Sequence, residues 1–309
     1  MDLPKVTIVG AGQVGATVAH LLLLKNLAQL VLIDVVEGLA QGKALDLLQA
    51  AATEDLTVQV TGTTDYTAMR DSHIVVITAG LARKPGMSRD DLSAANAAIV
   101  GPIAQTLARV APEAIVIVVT NPLDVMTYLA LKQTGFARHR VMGMAGVLDS
   151  GRLRAFVAQH LEVSPATVQA TVLGSHGDLM VPIRSSIMVN GAPVTTLLAP
   201  QEVDQLLVRT RDAGAEIVSL LKQSSAYYAP ASGVVQMVQA ILRDAHQVLP
   251  ASVLLEGEYG LKDVCIGVPV ELGATGITRI VELALNPQDQ EALRRASQQV
   301  RAGIEHLER

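Results

Sequence analysis

Through the first half of the chain, short apolar runs alternate with longer stretches whose apolar positions recur at helical spacing. The runs 6–9, 30–35, 58–60, 74–78 and 115–119 are rich in Val and Ile and read as strands covered on both faces. The stretches 14–25, 38–50, 91–110 and 124–134 read as helices. Strand and helix in regular succession predict a parallel sheet with right-handed crossovers. Ser88, with Asp91 three residues on, marks a helix start by the capping-box pattern.

The pattern changes after Gly146. A helix is predicted over 148–161 and a strand over 167–173. The segment 182–189 followed by Asn190-Gly191 predicts a hairpin, because Asn-Gly supplies the positive φ angles of a type I′ turn. Helices are expected after Pro200 and over 231–244, and strands over 252–255, 264–270 and 278–283. Asn286 and Pro287 open a final helix. The chain is therefore read as α/β, a doubly wound parallel sheet over 1–145 followed by a mixed α+β substrate domain over 146–309. No linker or fixed-period repeat separates the halves, so a ligand cleft is expected between them.

Composition narrows the function. Half of the 309 residues are apolar, enough for roughly two domains. The net charge is −5, aromatic residues make up 2% and Trp is absent. A nucleic-acid binder needs a basic stripe or a stacking platform, and neither is present. The single cysteine, Cys265, allows no disulfide within the chain and no zinc site built on cysteine pairs. The histidines lack metal-ligand spacing, and no metal is expected. The start, Met1-Asp2-Leu3-Pro4-Lys5, passes directly into the first strand, and no run approaches the ~18 apolar residues of a membrane span. A soluble cytoplasmic protein is expected.

Gly10-Ala11-Gly12-Gln13-Val14-Gly15 matches G-x-G-x-x-G between the first strand and the first helix. Gly10 permits a tight turn, Gly12 a close approach of pyrophosphate, and Gly15 close packing of helix on strand. The helix N-terminus then offers unpaired N–H groups to phosphate. Asp34 ends the second strand, 19 residues beyond Gly15, where a carboxylate can accept from ribose hydroxyls and repel the extra phosphate of NADP. NAD is the expected cofactor.

Polar groups suited to catalysis cluster at other predicted strand ends. Asn121 lies in Thr120-Asn121-Pro122, where it can orient a carboxamide or a substrate oxygen or simply form a turn. The segment from Gly80 to Arg89 holds Arg83, Lys84 and Arg89 on a loop that Gly80 and Gly86 could hinge. Asp149 stands at a predicted helix start, ordinarily a capping position, with Arg152 three residues on. His176, in Gly174-Ser175-His176-Gly177-Asp178, has only small residues beside it and suits acid/base work if a buried Asp accompanies it. Spacing alone cannot bring Asp149 to His176.

In this order GAGQVG, Asp34, ARKPGMSR, TNPLD, LDSGR and GSHGD resemble the lactate/malate dehydrogenase family over essentially the whole chain. The resemblance is closest to its lactate-dehydrogenase-like NAD-dependent malate dehydrogenases. It implies an N-terminal Rossmann domain and reversible hydride transfer between (S)-malate and NAD⁺, a reaction of the tricarboxylic acid cycle. By the resemblance His176 exchanges the proton, Asp149 is its partner, Arg152 holds the C1 carboxylate and Arg89 polarises the carbonyl. Asn121 lies near nicotinamide and substrate, and Gln13, Val14 and Asn96 join Gly10, Gly12, Gly15 and Asp34 in cofactor binding. Arg83 occupies the loop position that carries Arg in malate dehydrogenases and Gln in lactate dehydrogenases, so a dicarboxylate is expected. Ala226 replaces the usual Thr of the lactate enzymes. The family forms dimers and tetramers; a homotetramer is expected, and the Ala- and Leu-rich helix 38–50 is either part of an interface or an ordinary buried helix.

Overall fold

The computed structural model describes residues 3–82, 86–222 and 224–308. Its first half runs β1 (Lys5–Val9), α1 (Gln13–Leu24), β2 (Gln29–Ile33), α2 (Leu39–Thr53), β3 (Val60–Thr63), β4 (Ile74–Ile77), α3 (Arg89–Val110), β5 (Ile115–Val118), α4 (Leu123–Thr134) and β6 (Val141–Gly143). All six strands pair in parallel in the order β3-β2-β1-β4-β5-β6. This is the doubly wound Rossmann order, in which the strand sequence reverses beside β1. Every residue of β4 and β5 is buried, which is why their Val and Ile runs lack a polar face.

Several expected boundaries shift. The strand expected at 58–60 begins at Val60, because the preceding residues lead into the sheet edge and only 60–63 pair with β2. The three-residue β6 was not expected, being too short to show a period. The start of α3 follows expectation. The Ser88 side chain accepts from the Asp91 N–H while Asp91 accepts from the Ser88 N–H.

The second half contains α5 (Gly146–Leu161), β7 (Val168–Gln169), β8 (Val172–Gly174), β9 (Met180–Pro182), β10 (Met188–Val189), β11 (Ala192–Pro193), α6 (Pro200–Leu221), α7 (Tyr228–Leu242), β12 (Gln247–Glu256), β13 (Lys262–Gly273), β14 (Gly276–Ile280) and α8 (Pro287–Leu307). The strand expected over 167–173 is two strands serving different sheets. β7 pairs with β10, whereas β8 pairs with β9 and β13. The hairpin forms across Asn190 (φ 50°) and Gly191 (φ 81°), but its first arm is short, because residues 184–186 make a 3₁₀ turn. β12 and β13 outrun the expected 252–255 and 264–270, and Pro250 faces Pro269 across the pair.

The parallel sheet does not stop at the end of the first half. β6 pairs antiparallel with β12 through Gly143 and Ser252, and β12 continues to β13, β8 and β9. Among the described residues, eleven strands form this one sheet, with β14 attached to β13. Its core is continuous from Val6 through Leu272 to Ile304. A smaller core gathers α5 and α6 around the β7-β10-β11 sheet. No described helix is long and apolar enough to cross a membrane.

Candidate active site

The glycine turn closes tightly at the end of β1. Gly10 has φ +105° and its N–H donates to the Ile33 carbonyl at 2.7 Å. At Gly15 an added Cβ would lie 1.9 Å from the Gly10 carbonyl oxygen, so α1 can pack against the turn only without a side chain there. Above Gly12 a Cβ would meet nothing within 4 Å, leaving the backbone open to a ligand. The first bond of α1 runs from the Ala16 N–H to the Gly12 carbonyl at 3.0 Å. The N–H groups of Gln13, Val14 and Gly15 thus have no acceptor within the helix and form an anion-binding end.

A cleft of about 540 Å³ runs over this turn, lined by Gly10, Gly12, Asp34, Tyr66, Thr78 and Gly80 among others. Asp34 is tied to the turn itself. Its carboxylate accepts from the Ala11 N–H at 2.7 Å and the Val36 N–H at 3.0 Å, one bond to each oxygen. Each oxygen keeps a lone pair for a further donor. The open backbone at Gly12, the free helix end and the carboxylate suit an adenine dinucleotide.

Asn96, expected to take part in cofactor binding, lies between the loops that follow β4 and β5. It is fully buried; its Oδ1 accepts from the Leu81 N–H at 2.7 Å, and its Nδ2 donates to the carbonyls of Leu81 and Asn121 at 3.1 and 2.6 Å. Both donors and the acceptor are engaged, so it braces the loops after β4 and β5 against each other. Gly80 is wedged in the same place, since a Cβ would lie 2.4 Å from Thr120 Cγ2. It allows the two loops to pack closely. Gly86 does take the left-handed backbone, φ +84°. Arg83 and Lys84 lie outside the described residues. Asn121 is exposed, and among the described residues its side-chain amide has no hydrogen bond.

The catalytic candidates from α5 and the β8–β9 loop meet, although 27 residues separate them. His176 Nδ1 lies 2.8 Å from Asp149 Oδ2. Asp149 does not cap α5; Ala145 holds that position, and the Asp149 N–H already donates to the Ala145 carbonyl. Its side chain is therefore free for other partners, and its Oδ1 accepts from Arg152 Nη1 at 3.1 Å. The Arg152 Nε is buried without a partner among the described residues. Such an unpaired guanidinium donor suits a bound carboxylate. Arg89, at the start of α3, forms an ion pair with Asp178, two residues beyond His176.

Sequence reasoning did not find two further partners. Asp124, in the first turn of α4, accepts from the His176 backbone N–H at 2.9 Å and from the Ser252 hydroxyl at 2.6 Å. A serine inside the apolar strand 252–255 is the one sequence signal that could have pointed to this pair.

Burial opposes charge on the imidazole and by itself lowers the His176 pKa. The Asp149 charge and hydrogen bond, together with the Asp124 charge, outweigh it and hold the pKa above the ordinary histidine value. With Nδ1 facing a carboxylate, Nε2 is the nitrogen left to exchange a proton with a ligand. Burial pushes the Asp124 carboxyl up to about 6 against the pull of its hydrogen bonds. Burial also raises the Cys265 thiol and leaves it unreactive.

A parallel Rossmann sheet with an open glycine turn, continued by strands that carry a histidine–carboxylate pair flanked by arginines, defines a nicotinamide-dependent dehydrogenase. Comparison with known proteins identifies the family. Residues 4–143 match the lactate/malate dehydrogenase NAD binding domain, and residues 146–309 match the lactate/malate dehydrogenase alpha/beta C-terminal domain. The malate dehydrogenase of Trichormus variabilis is 54% identical over 303 residues, covering 98% of this chain and 94% of that protein. A crystal structure of Cryptosporidium parvum malate dehydrogenase superposes with a TM-score of 0.97 at 38% identity, covering 99% of each chain. The lactate dehydrogenase of the same organism, complexed with lactic acid and nicotinamide adenine dinucleotide, superposes with a TM-score of 0.96 at 38% identity, over 100% of this chain and 99% of that one. The chain belongs to the lactate/malate dehydrogenase family and is an NAD-dependent oxidoreductase.

Proposed function

We propose that the chain is an NAD-dependent malate dehydrogenase that interconverts (S)-malate plus NAD⁺ with oxaloacetate, NADH and a proton. The observation that carries the chemistry is the His176–Asp149–Arg152 chain beside the glycine cleft. NAD, when bound, supplies the hydride acceptor. His176 Nε2 takes the hydroxyl proton during oxidation and returns it during reduction. Asp149 fixes the ring and stabilises its charged form. Arg152 clamps the C1 carboxylate through the guanidinium face that Asp149 leaves free. Arg89 leaves Asp178 to polarise the reacting oxygen when the loop closes, and Asn121 orients the substrate. Gly10, Gly12, Gln13, Val14, Gly15 and Asp34 hold the dinucleotide.

Two considerations favour malate over lactate. A second carboxylate in a closed, water-poor site needs a countercharge, and Arg83 stands on the loop that would supply it. Full-length relatives near half identity carry the malate dehydrogenase name. The family's homotetramer, favoured over a dimer, suits the exposed Leu45 and Leu48 on α2. A cytoplasmic tricarboxylic acid cycle role belongs to the same reading and rests on the substrate pair.

The test is a steady-state assay of malate oxidation. NADH should form from malate and NAD⁺ and only feebly from lactate, with NADP⁺ a poor substitute because Asp34 repels its 2′-phosphate. Equal rates with lactate, or with NADP⁺, contradict the proposal.

A further inference from the structure

The site contains a second buried carboxylate beyond the His176–Asp149 pair. Asp124 is 4% exposed and Ser252 is fully buried. They belong to α4 and β12, on opposite sides of the boundary between the two halves of the chain, 128 residues apart. Asp124 Oδ1 takes the Ser252 hydroxyl at 2.6 Å and Oδ2 takes the His176 backbone N–H at 2.9 Å. Ser252 is itself held in the sheet, paired with Gly143 of β6 on one side and Gly267 of β13 on the other. Gly267 pairs with Gly174, two residues before His176. The histidine loop is therefore tied back to the sheet twice, once through the strand ladder and once through a carboxylate.

We propose that Asp124, clamped by Ser252, is a positioning residue for His176: it anchors the histidine's backbone at a fixed distance from Asp149 and places a second negative charge behind the imidazolium. The proposal rests on the reading of His176 as the proton-exchanging group.

The chemistry supports a role beyond packing. An ionised carboxylate costs far more in this interior than a neutral group, and here it stands within the electrostatic reach of the His176 imidazole. The titratable groups close enough to act on Asp124 are the His176 imidazole and the Asp149 carboxylate. Asp124 in turn acts on the Cys265 thiol, as does Lys132, and Arg152 lies one contact further out beyond Asp149. Of these the imidazole is the one whose working charge a second carboxylate favours. Asp149 repels it, and burial pushes its carboxyl up to about 6, so the ionised form is held under tension near neutrality. Removing that charge should harm the proton exchange.

The experiment compares Asp124→Asn, Asp124→Ala, Ser252→Ala and His176→Ala in the full-length protein. It reads NADH affinity by fluorescence, kcat and its pH profile with oxaloacetate, and melting temperature at pH 8. Asp124→Asn should keep NADH affinity and melt somewhat lower, because its NH2 replaces one of two acceptors, and should lose reduction activity at a pH roughly one unit lower, because the imidazolium has lost a counterion. Asp124→Ala, which also frees the loop, should lose about 10²-fold in kcat, and Ser252→Ala should fall between. Superimposable pH profiles for Asp124→Asn and the parent would overturn the proposal. A lowered melting temperature with unchanged kcat per folded molecule would do the same, by showing a brace and nothing more. Near-normal turnover in His176→Ala would instead sink the underlying reading, which distinguishes the two failures.

Discussion

At the scale of single residues, the account turns on how charge is arranged around one imidazole. Burial lowers the His176 pKa, but the two carboxylates outweigh it, so the folded protein holds the ring protonated to a higher pH than usual. The sign of the consequence follows directly. Reduction of a keto acid needs the protonated ring, and its rate should hold up past neutrality before falling as pH passes the raised pKa. Oxidation needs the neutral ring and should rise over the same interval. Asp149→Asn removes the hydrogen-bonded counterion and should move both limbs to lower pH, whereas His176→Ala should cost about 10²–10⁴-fold in kcat. Both variants should bind NADH normally, because the glycine turn lies on other elements. Parallel pH–rate profiles and fluorescence titrations check this; unchanged limbs in Asp149→Asn would remove the carboxylate from the mechanism. His176 stands out in the sequence by its small neighbours, whereas Asp149 looks like a helix cap, and it and Arg152 are singled out only by the family resemblance. Their contacts were not legible, because a 2.8 Å bond across 27 residues depends on how α5 and β8 pack. Asn96 is singled out only by the family resemblance, and nothing in the sequence foretells that its amide bonds the backbone of two loops.

At the scale of elements, the glycine turn is a joint between β1 and α1 as much as a binding loop. The 1.9 Å separation between a Gly15 Cβ and the Gly10 oxygen cannot be absorbed by a rotamer change, because the opposing atom is backbone. Gly15→Ala must displace the end of α1, at a cost of roughly 1–3 kcal/mol by analogy with other overpacked positions. The same displacement misdirects the N–H groups of the helix end. We expect a lower melting temperature together with at least a tenfold loss of NADH affinity, measured by thermal unfolding and fluorescence titration. Normal affinity in a folded Gly15→Ala variant would show that the helix end does not bind the cofactor. Helices were read well from the sequence because caps announce them: Ser88 with Asp91 opens α3, and the Asn286 side chain accepts from the Asp289 N–H to open α8. Strands fared less well. β6 has three residues and no period to detect, and the apolar run 167–173 hides a switch between two sheets.

At the scale of the whole molecule, the two halves share a single sheet, with the histidine loop hung from its C-terminal part and the glycine turn from its N-terminal part. Alternating apolar runs foretold the parallel half, whose strands are buried on both faces. They did not foretell the junction, which depends on one antiparallel pairing of Gly143 with Ser252. On the proposed reading, one sheet carries the cofactor turn on one half and the proton-exchanging histidine on the other. Specificity is then left to the segment that carries Arg83. The most direct measurement of the central claim is the ratio of kcat/KM for oxaloacetate to that for pyruvate, with NADH, in the parent and in Arg83→Gln. The parent should favour oxaloacetate by several powers of ten. Arg83→Gln should lower the ratio by two to four powers of ten, following the ~3–5 kcal/mol cost of leaving one buried charge without its partner. A parent that prefers pyruvate, or a ratio that Arg83→Gln leaves unchanged, would contradict the assignment of a dicarboxylate substrate.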